Sequence, residues 1–238
     1  MDGREGAATA PSITGGKQGA GGVSAWSLAA PIALLLALGV VIAGHELIRQ
    51  WRIARIEAAA ASVDAVAGQT ALTRLAAAEA ECGGACGPRA LVAGGAARAL
   101  IAARLPIGPQ RAELAAKASA QLRAAIAEQP ASGERWAWLA VSESARPGDE
   151  HHLAAVIALE RSYRLAPFVR DLAVWRARFA GADWAQIDGL SRSRALDEVA
   201  HLAVIDPGQA QAAQDAFSDP AAALALDLRL SRRGAQVH

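Results

Sequence analysis

The chain has 238 residues, 53% hydrophobic but only 4% aromatic, with 24 basic and 23 acidic side chains for a formal charge of +1. Alanine fills 63 of the hydrophobic positions, so the apolar fraction buries little area per residue and favours helix over any β-sandwich or barrel. Near-neutral charge excludes the basic field that recruits nucleic acid, and two cysteines exclude a disulfide-dense scaffold or a four-thiolate zinc site.

Residues 1–22 hold Gly, Ala, Ser and Thr with almost no large apolar side chain. Such a stretch cannot bury enough surface to offset its ordering entropy, and it is expected to be a disordered tail. Residues 23–44 carry no charge, and Leu34, Leu35, Leu36, Leu38, Val40, Val41 and Ile42 make their middle strongly apolar. This length matches the roughly 20 residues a helix needs to cross a bilayer. Trp26 and Trp51 bracket the run at about the spacing of the two membrane interfaces, where indoles prefer to sit. The expectation is a single-pass transmembrane helix. A buried core helix or a cleaved signal peptide ending near Val41-Ile42-Ala43 are the alternatives; the apolar run is longer than a usual signal core. Arg49, Arg52 and Arg55 follow the span while Lys17 and Arg4 precede it, which by charge bias alone favours a cytoplasmic C-terminal portion. Long C-terminal bodies translocate despite such charge. The expected arrangement is therefore a short N-tail, an anchor in the inner (cytoplasmic) membrane and a periplasmic C-terminal domain.

Residues 45–111 read as a helical stalk. Ile56, Ala59, Val63, Val66, Thr70 and Thr73 step by three and four, as one side of a helix or a dimerising coiled coil would. Within the stalk, Cys82-Gly83-Gly84-Ala85-Cys86-Gly87-Pro88 forms a turn between two Ala-rich runs. Its glycines permit the conformations a small disulfide loop needs. Cys82 and Cys86 thus read as a disulfide, as two unpaired thiols, or as a redox or metal pair; the nearest downstream histidine is His151.

Residues 112–230 carry the strongest pattern. Ala118, Leu122, Ala125 and Pro130 recur as Ala155, Leu159, Ser162 and Pro167, and in a poorer copy as Ala195, Val199, Leu202 and Pro207. The prolines fall 37 and 40 residues apart, and Trp138 and Trp175 each stand eight residues after the first two. A fixed period in this range marks a helical solenoid. Small residues admit a neighbouring helix, Leu or Val fills the gap, and proline stops the helix because it lacks an N–H and clashes with the preceding turn. A tryptophan on the next helix would fill the larger hole; for Trp136, Trp138 and Trp175 the alternative to core packing is the lining of a ligand groove. Ala154 to Pro167 and Gln121 to Pro130 with Trp136-Ala137-Trp138-Leu139-Ala140 resemble the tetratricopeptide repeat superfamily, although that family's period is about 34 residues. The resemblance implies an all-α stack of helical hairpins whose surface takes a peptide or partner helix.

Beyond Pro207, Gln209 to Phe217 and Ala221 to Leu230 read as two short capping helices, with Leu224 and Leu228 facing inward and residues 231–238 a frayed tail. Glu150-His151-His152 is the one clustering of histidine with carboxylate; it is read as a solvated turn. No catalytic, cofactor-binding or metal site is expected. The composite expectation is a membrane-anchored interaction scaffold of the bacterial cell envelope, serving secretion, cell-wall or surface-polysaccharide assembly. It binds protein partners through its repeats and the bilayer through residues 23–44, and has the potential to self-associate through the stalk. A structural subunit of a membrane complex, or an enzyme with an unrecognised site, are the alternatives.

Overall fold

The computed structural model describes residues 25–61, 68–83 and 87–234, the side chains of 25–30, 68 and 233–234 excepted. The described residues form ten α-helices and no strand: α1 (Ala25–Ala61), α2 (Gly68–Cys82), α3 (Gly87–Arg104), α4 (Pro109–Glu128), α5 (Gly133–Ser144), α6 (Asp149–Leu165), α7 (Ala173–Ala182), α8 (Gly189–Ile205), α9 (Pro207–Gln214) and α10 (Pro220–Gly234). A short 3-10 turn, Arg170–Leu172, leads into α7.

The chain divides into two units between Glu46 and Leu47. In the first, α1 exposes nearly every large apolar side chain it carries, Leu34 at 71% and Val40 at 72% among them. From Pro31 the helix has a mean hydropathy of 2.1 over its most apolar window, none of which is buried. Among the described residues it is the one helix long and apolar enough to cross a membrane. Trp51 is exposed, with the Arg55 guanidinium 5.0 Å from its ring centroid. The side chain of Trp26 and the whole of residues 1–22 lie outside the described residues.

In the second unit, helix starts and stops follow side-chain chemistry. Asp188 accepts a hydrogen bond from Ser191 N at the head of α8, Asp206 from Gln209 N at α9, and Asp219 from Ala221 N and Ala222 N at α10. Pro109 and Pro207 occupy first-turn positions, where a missing N–H costs least. Between α5 and α6 the chain turns through Gly148 at φ 106°, a conformation that favours glycine.

Packing proceeds mostly between near neighbours in the chain. α3 packs on α4 and α5, α4 on α5, α5 on α6, α6 on α8, α7 on α8 and α9, and α8 on α9 and α10. The repeated small and branched residues lie on this path. Ala118, Leu122 and Ala125 on α4, Ala155, Leu159 and Ser162 on α6, and Ala195, Val199 and Leu202 on α8 are all buried. Pro130 and Pro167 follow the ends of α4 and α6, whereas Pro207 opens α9 directly. Closeness is set by missing side-chain atoms. A Cβ on Gly95 of α3 would lie 2.7 Å from Leu122 Cγ of α4, and one on Gly133 of α5 would lie 2.5 Å from Ala166 Cβ. Ser162 Oγ donates to Gly133 O at 2.7 Å and ties the end of α6 to the start of α5.

The segment expected to be a stalk is folded differently. Ile53 and Ile56 of α1 join Ala71, Leu75, Ala78 and Cys82 of α2, Ala90, Ala97 and Ile101 of α3, and Leu114 and Ala115 of α4 in one buried cluster. Thr70 and Thr73, placed on the expected seam, are exposed, and Val63 and Val66 lie outside the described residues. The buried stripe of α2 is Ala71, Leu75, Ala78 and Cys82, with Leu72 partly buried at its edge. Glu79, Arg98 and Gln121 knit α2, α3 and α4 together, with Arg98 Nη1 2.5 Å from Glu79 Oε1 and Gln121 Nε2 2.9 Å from the same oxygen. Burial opposes ionisation of Glu79, yet these bonds hold its pKa below the usual carboxylate value. The boundary placed at 111/112 falls inside α4, which begins at Pro109. Leu224 and Leu228 do not face inward: both are exposed, and Ala222 and Leu226 are buried instead. Both pairs have the same spacing, and rotation of α10 about its axis selects the pair with the small residue at the point of close approach.

Gly95→Val should destabilise the fold by about 1–3 kcal/mol through overpacking against Leu122. Leu122→Ala should cost about 2–5 kcal/mol, whereas Leu228→Ser should stay within about 0.5 kcal/mol because its side chain is exposed. Urea midpoints of the three variants against the unaltered chain check the ordering.

Candidate docking groove

Helices α3, α5 and α7, together with the end of α1, face one cleft. Glu57 and Ala60 of α1, Arg89, Val92, Ala96 and Leu100 of α3, Glu134, Trp138 and Val141 of α5, and Trp175, Arg178 and Phe179 of α7 enclose a groove of about 1350 Å³. That volume exceeds the roughly 300–1,000 Å³ of a small-molecule site. Trp138 and Trp175 are only partly buried, packed against the small buried cluster of Ala99, Ala118, Ala137, Val141 and Leu172. They pack against the core, as the repeat pattern expects, and also line the groove, the alternative role for them. Trp175 stacks on Phe179 with ring centroids 5.2 Å apart at 25°, which extends the aromatic wall by one turn. Trp136, two residues from Trp138, lies elsewhere and donates Nε1–H to Pro130 O at 2.9 Å.

The charged residues of the groove differ in how they are engaged. Arg89 Nη2 pairs with Glu57 Oε1 at 2.8 Å. Arg135 is buried, donating from Nη1 to Ala125 O at 2.7 Å and from Nη2 to Gln129 Oε1. Glu134, Asp171 and Arg178 are exposed.

A buried polar cluster holds the segment that carries Trp175. Glu198 of α8 accepts from Tyr163 Oη at 3.0 Å and from Val169 N at 3.2 Å. Its Oε2 lies 3.4 Å from Arg176 Nε in an ion pair whose two side chains are both fully buried. The Arg176 guanidinium sits 3.9 Å over the Tyr163 ring and donates from Nη2 to Ala166 O at 3.0 Å. Residues 166–169 link α6 to the 3-10 turn, and these bonds satisfy Ala166 O and Val169 N, which have no partner within a helix. Burial pushes the Glu198 carboxyl up to about 7, against the lowering pull of Arg176, Val169 N–H and Tyr163. Burial and the adjacent Glu198 charge likewise raise the Tyr163 hydroxyl well above its usual value. No sequence motif announced this cluster, because its members lie on three different elements.

A second buried carboxylate, Glu143 of α5, is held by Arg123 Nη2 at 2.9 Å, Arg146 Nη1 at 3.3 Å and His151 Nδ1 at 3.0 Å. Burial raises its pKa, but a bond with Ser119 and the charges of Arg123 and Arg146 outweigh it and hold the carboxyl low. The Glu150-His151-His152 turn is thus not simply solvated: His151 reaches inward to Glu143, and His152 Nε2 meets Asp183 Oδ1 at 2.9 Å. His201 packs edge-on to Phe168 at 4.7 Å. Among the described residues no group of three or more His, Cys, Asp or Glu is gathered as a metal ion would require. Cys82 is buried and disulfide-bonded; Cys86, the other member of the expected pair, lies outside the described residues.

No protein-family model matches the chain, and no curated protein or solved structure does either.

With Glu198 titrating near 7 when folded and near 4.3 when unfolded, the folded state holds the extra proton between those values. Stability should therefore fall as pH rises from about 4.5 to about 7, by on the order of 3 kcal/mol from this group, and level off above. Glu198→Gln, which keeps an acceptor for Tyr163, should flatten that part of the profile; urea denaturation at pH 5, 6, 7 and 8 reads the slope.

Proposed function

We propose that the chain is a membrane-anchored docking protein: α1 tethers it to a bilayer, and a tetratricopeptide-like array of helical hairpins presents the groove to a segment of a partner protein. The observation that carries this reading is the groove itself, more than a small ligand needs and walled by Trp138, Trp175 and Phe179 in positions that the core leaves half open. Partly buried aromatics on a rigid helical frame are the residues that dominate binding energy at protein interfaces. The near-neighbour order of packing supports the repeat reading, since each hairpin of a solenoid rests on the next. Exposed apolar side chains from Ile32 to Ile42 of α1 support the anchor. On this reading Trp51 lies at the membrane interface, the anchor sits in the inner membrane, and the helical body projects to the periplasmic side, where a disulfide between Cys82 and Cys86 is stable.

The full-length chain should fractionate with membranes and resist alkaline extraction. A photo-crosslinking residue replacing Val92 should trap a discrete protein partner in intact cells. The same residue replacing Leu153, exposed on α6 outside the groove, should trap none. Trp138→Ala with Trp175→Ala should remove the Val92 product at unchanged protein level. Equal crosslinking from both positions, or a product indifferent to the tryptophans, would refute the docking role.

A further inference from the structure

The two tryptophans of the groove do not stand alone. Glu134 precedes Trp138 by four residues on α5, and Asp171 precedes Trp175 by four at the entrance to α7. All four side chains line the groove. The two acids are 37 residues apart, as are the two tryptophans and the two prolines before them, Pro130 and Pro167. Successive repeats thus offer the same pair, a carboxylate four residues ahead of a half-buried indole. Glu134 and Trp138 share a face of α5, whereas Asp171 stands on the 3-10 turn that leads into α7 and meets Trp175 in the groove. An indole face beside a carboxylate is complementary to a cationic side chain, whose methylene stem lies on the ring while its charge meets the oxygens.

The other charges in the groove reinforce this choice. Arg89 is spent on Glu57, Arg104 at the groove's edge is engaged by a partner of its own, and Arg135 is buried against a carbonyl and Gln129. Glu134 and Asp171 are exposed and take part in none of the ion pairs of the described residues. Arg178, exposed one turn past Trp175, places a positive charge at the far end of the wall and sets a limit on how many cations fit. We propose that the groove receives a polypeptide segment bearing two lysine or arginine side chains, one on each carboxylate–tryptophan pair, with Arg178 disfavouring a third. The inference rests on the docking reading above and adds the chemistry of the partner.

The test uses the full-length chain in nanodiscs of neutral lipid, titrated with fluorescein-labelled decapeptides. These carry two lysines separated by one to four glycines, and matched decapeptides carry glutamine or glutamate instead. At least one lysine spacing should bind about tenfold or more tightly than its glutamine counterpart, with quenching of tryptophan fluorescence, and the glutamate peptides should not bind. Glu134→Gln with Asp171→Asn should erase the lysine preference. Glu128→Gln with Asp227→Asn, which neutralise exposed carboxylates outside the groove, should leave it intact. Lysine peptides that bind the two double variants equally, or glutamine and glutamate peptides that bind as well as lysine ones, would overturn the proposal. So would the absence of binding by any peptide. A Trp138- and Trp175-dependent crosslink from Val92 in that event would still uphold docking and assign the groove a partner of other chemistry.

Discussion

Close approach of helix backbones governs this molecule. With so little aromatic and branched apolar volume, the array cannot be held by large interdigitating side chains. It is held by close approach at Gly95, against Leu122, and at Gly133, against Ala166 and Ser162, with Ala118 and Ala155 fully buried on the same path. Packing energy under this constraint comes from many small contacts at high density, each intolerant of one added methyl group. Trp184 is buried within the main core, whereas Trp138 and Trp175 pack against it from the groove side and stay only partly buried.

Buried charge in the second unit serves geometry more than net stability. A dry arginine–carboxylate pair gains little over an apolar pair of the same volume once desolvation is counted. What Arg176 and Glu198 do is anchor the bend at residues 166–169 through Ala166 O and Val169 N, and so fix the direction in which α7 leaves it. Glu143 plays a comparable part where α4, α5 and α6 meet, drawing Arg123, Arg146 and His151 onto one carboxylate. The two sites differ in their balance. Glu143 gathers enough cationic charge to remain ionised, whereas burial dominates at Glu198. The groove wall that carries Trp175 therefore rests on a group sensitive to pH near neutrality.

Several features were readable before any coordinates. Helical class followed from alanine content and the absence of alternating β-branched runs. Placement of Ala118, Leu122, Ala155 and Leu159 toward a neighbour followed from three-and-four spacing. Less was readable where two registers compete: in α10 the pairs 222/226 and 224/228 have identical periodicity, and only packing against α8 discriminates between them. The segment after α1 failed for another reason. A seam of Ile56 and threonines looks like a stalk when each helix is considered alone, but Leu75, Ala78 and Ile101 supply a folding partner.

By itself the sequence determined the local periods: which stretches are helical, where Asp and Pro start them, which stretch of α1 is apolar on all sides, and that two indoles stand 37 residues apart. These depend on residues a few positions apart and so are written linearly. Only the tertiary structure decided that Glu57, Val92, Trp138 and Trp175 share one cleft, and that Tyr163, Arg176 and Glu198 share one buried site. Those groupings depend on the rotation of each helix about its axis and the angle at which it meets the next. Both are set by the sum of all contacts along the interface, and no short window of the chain contains that sum.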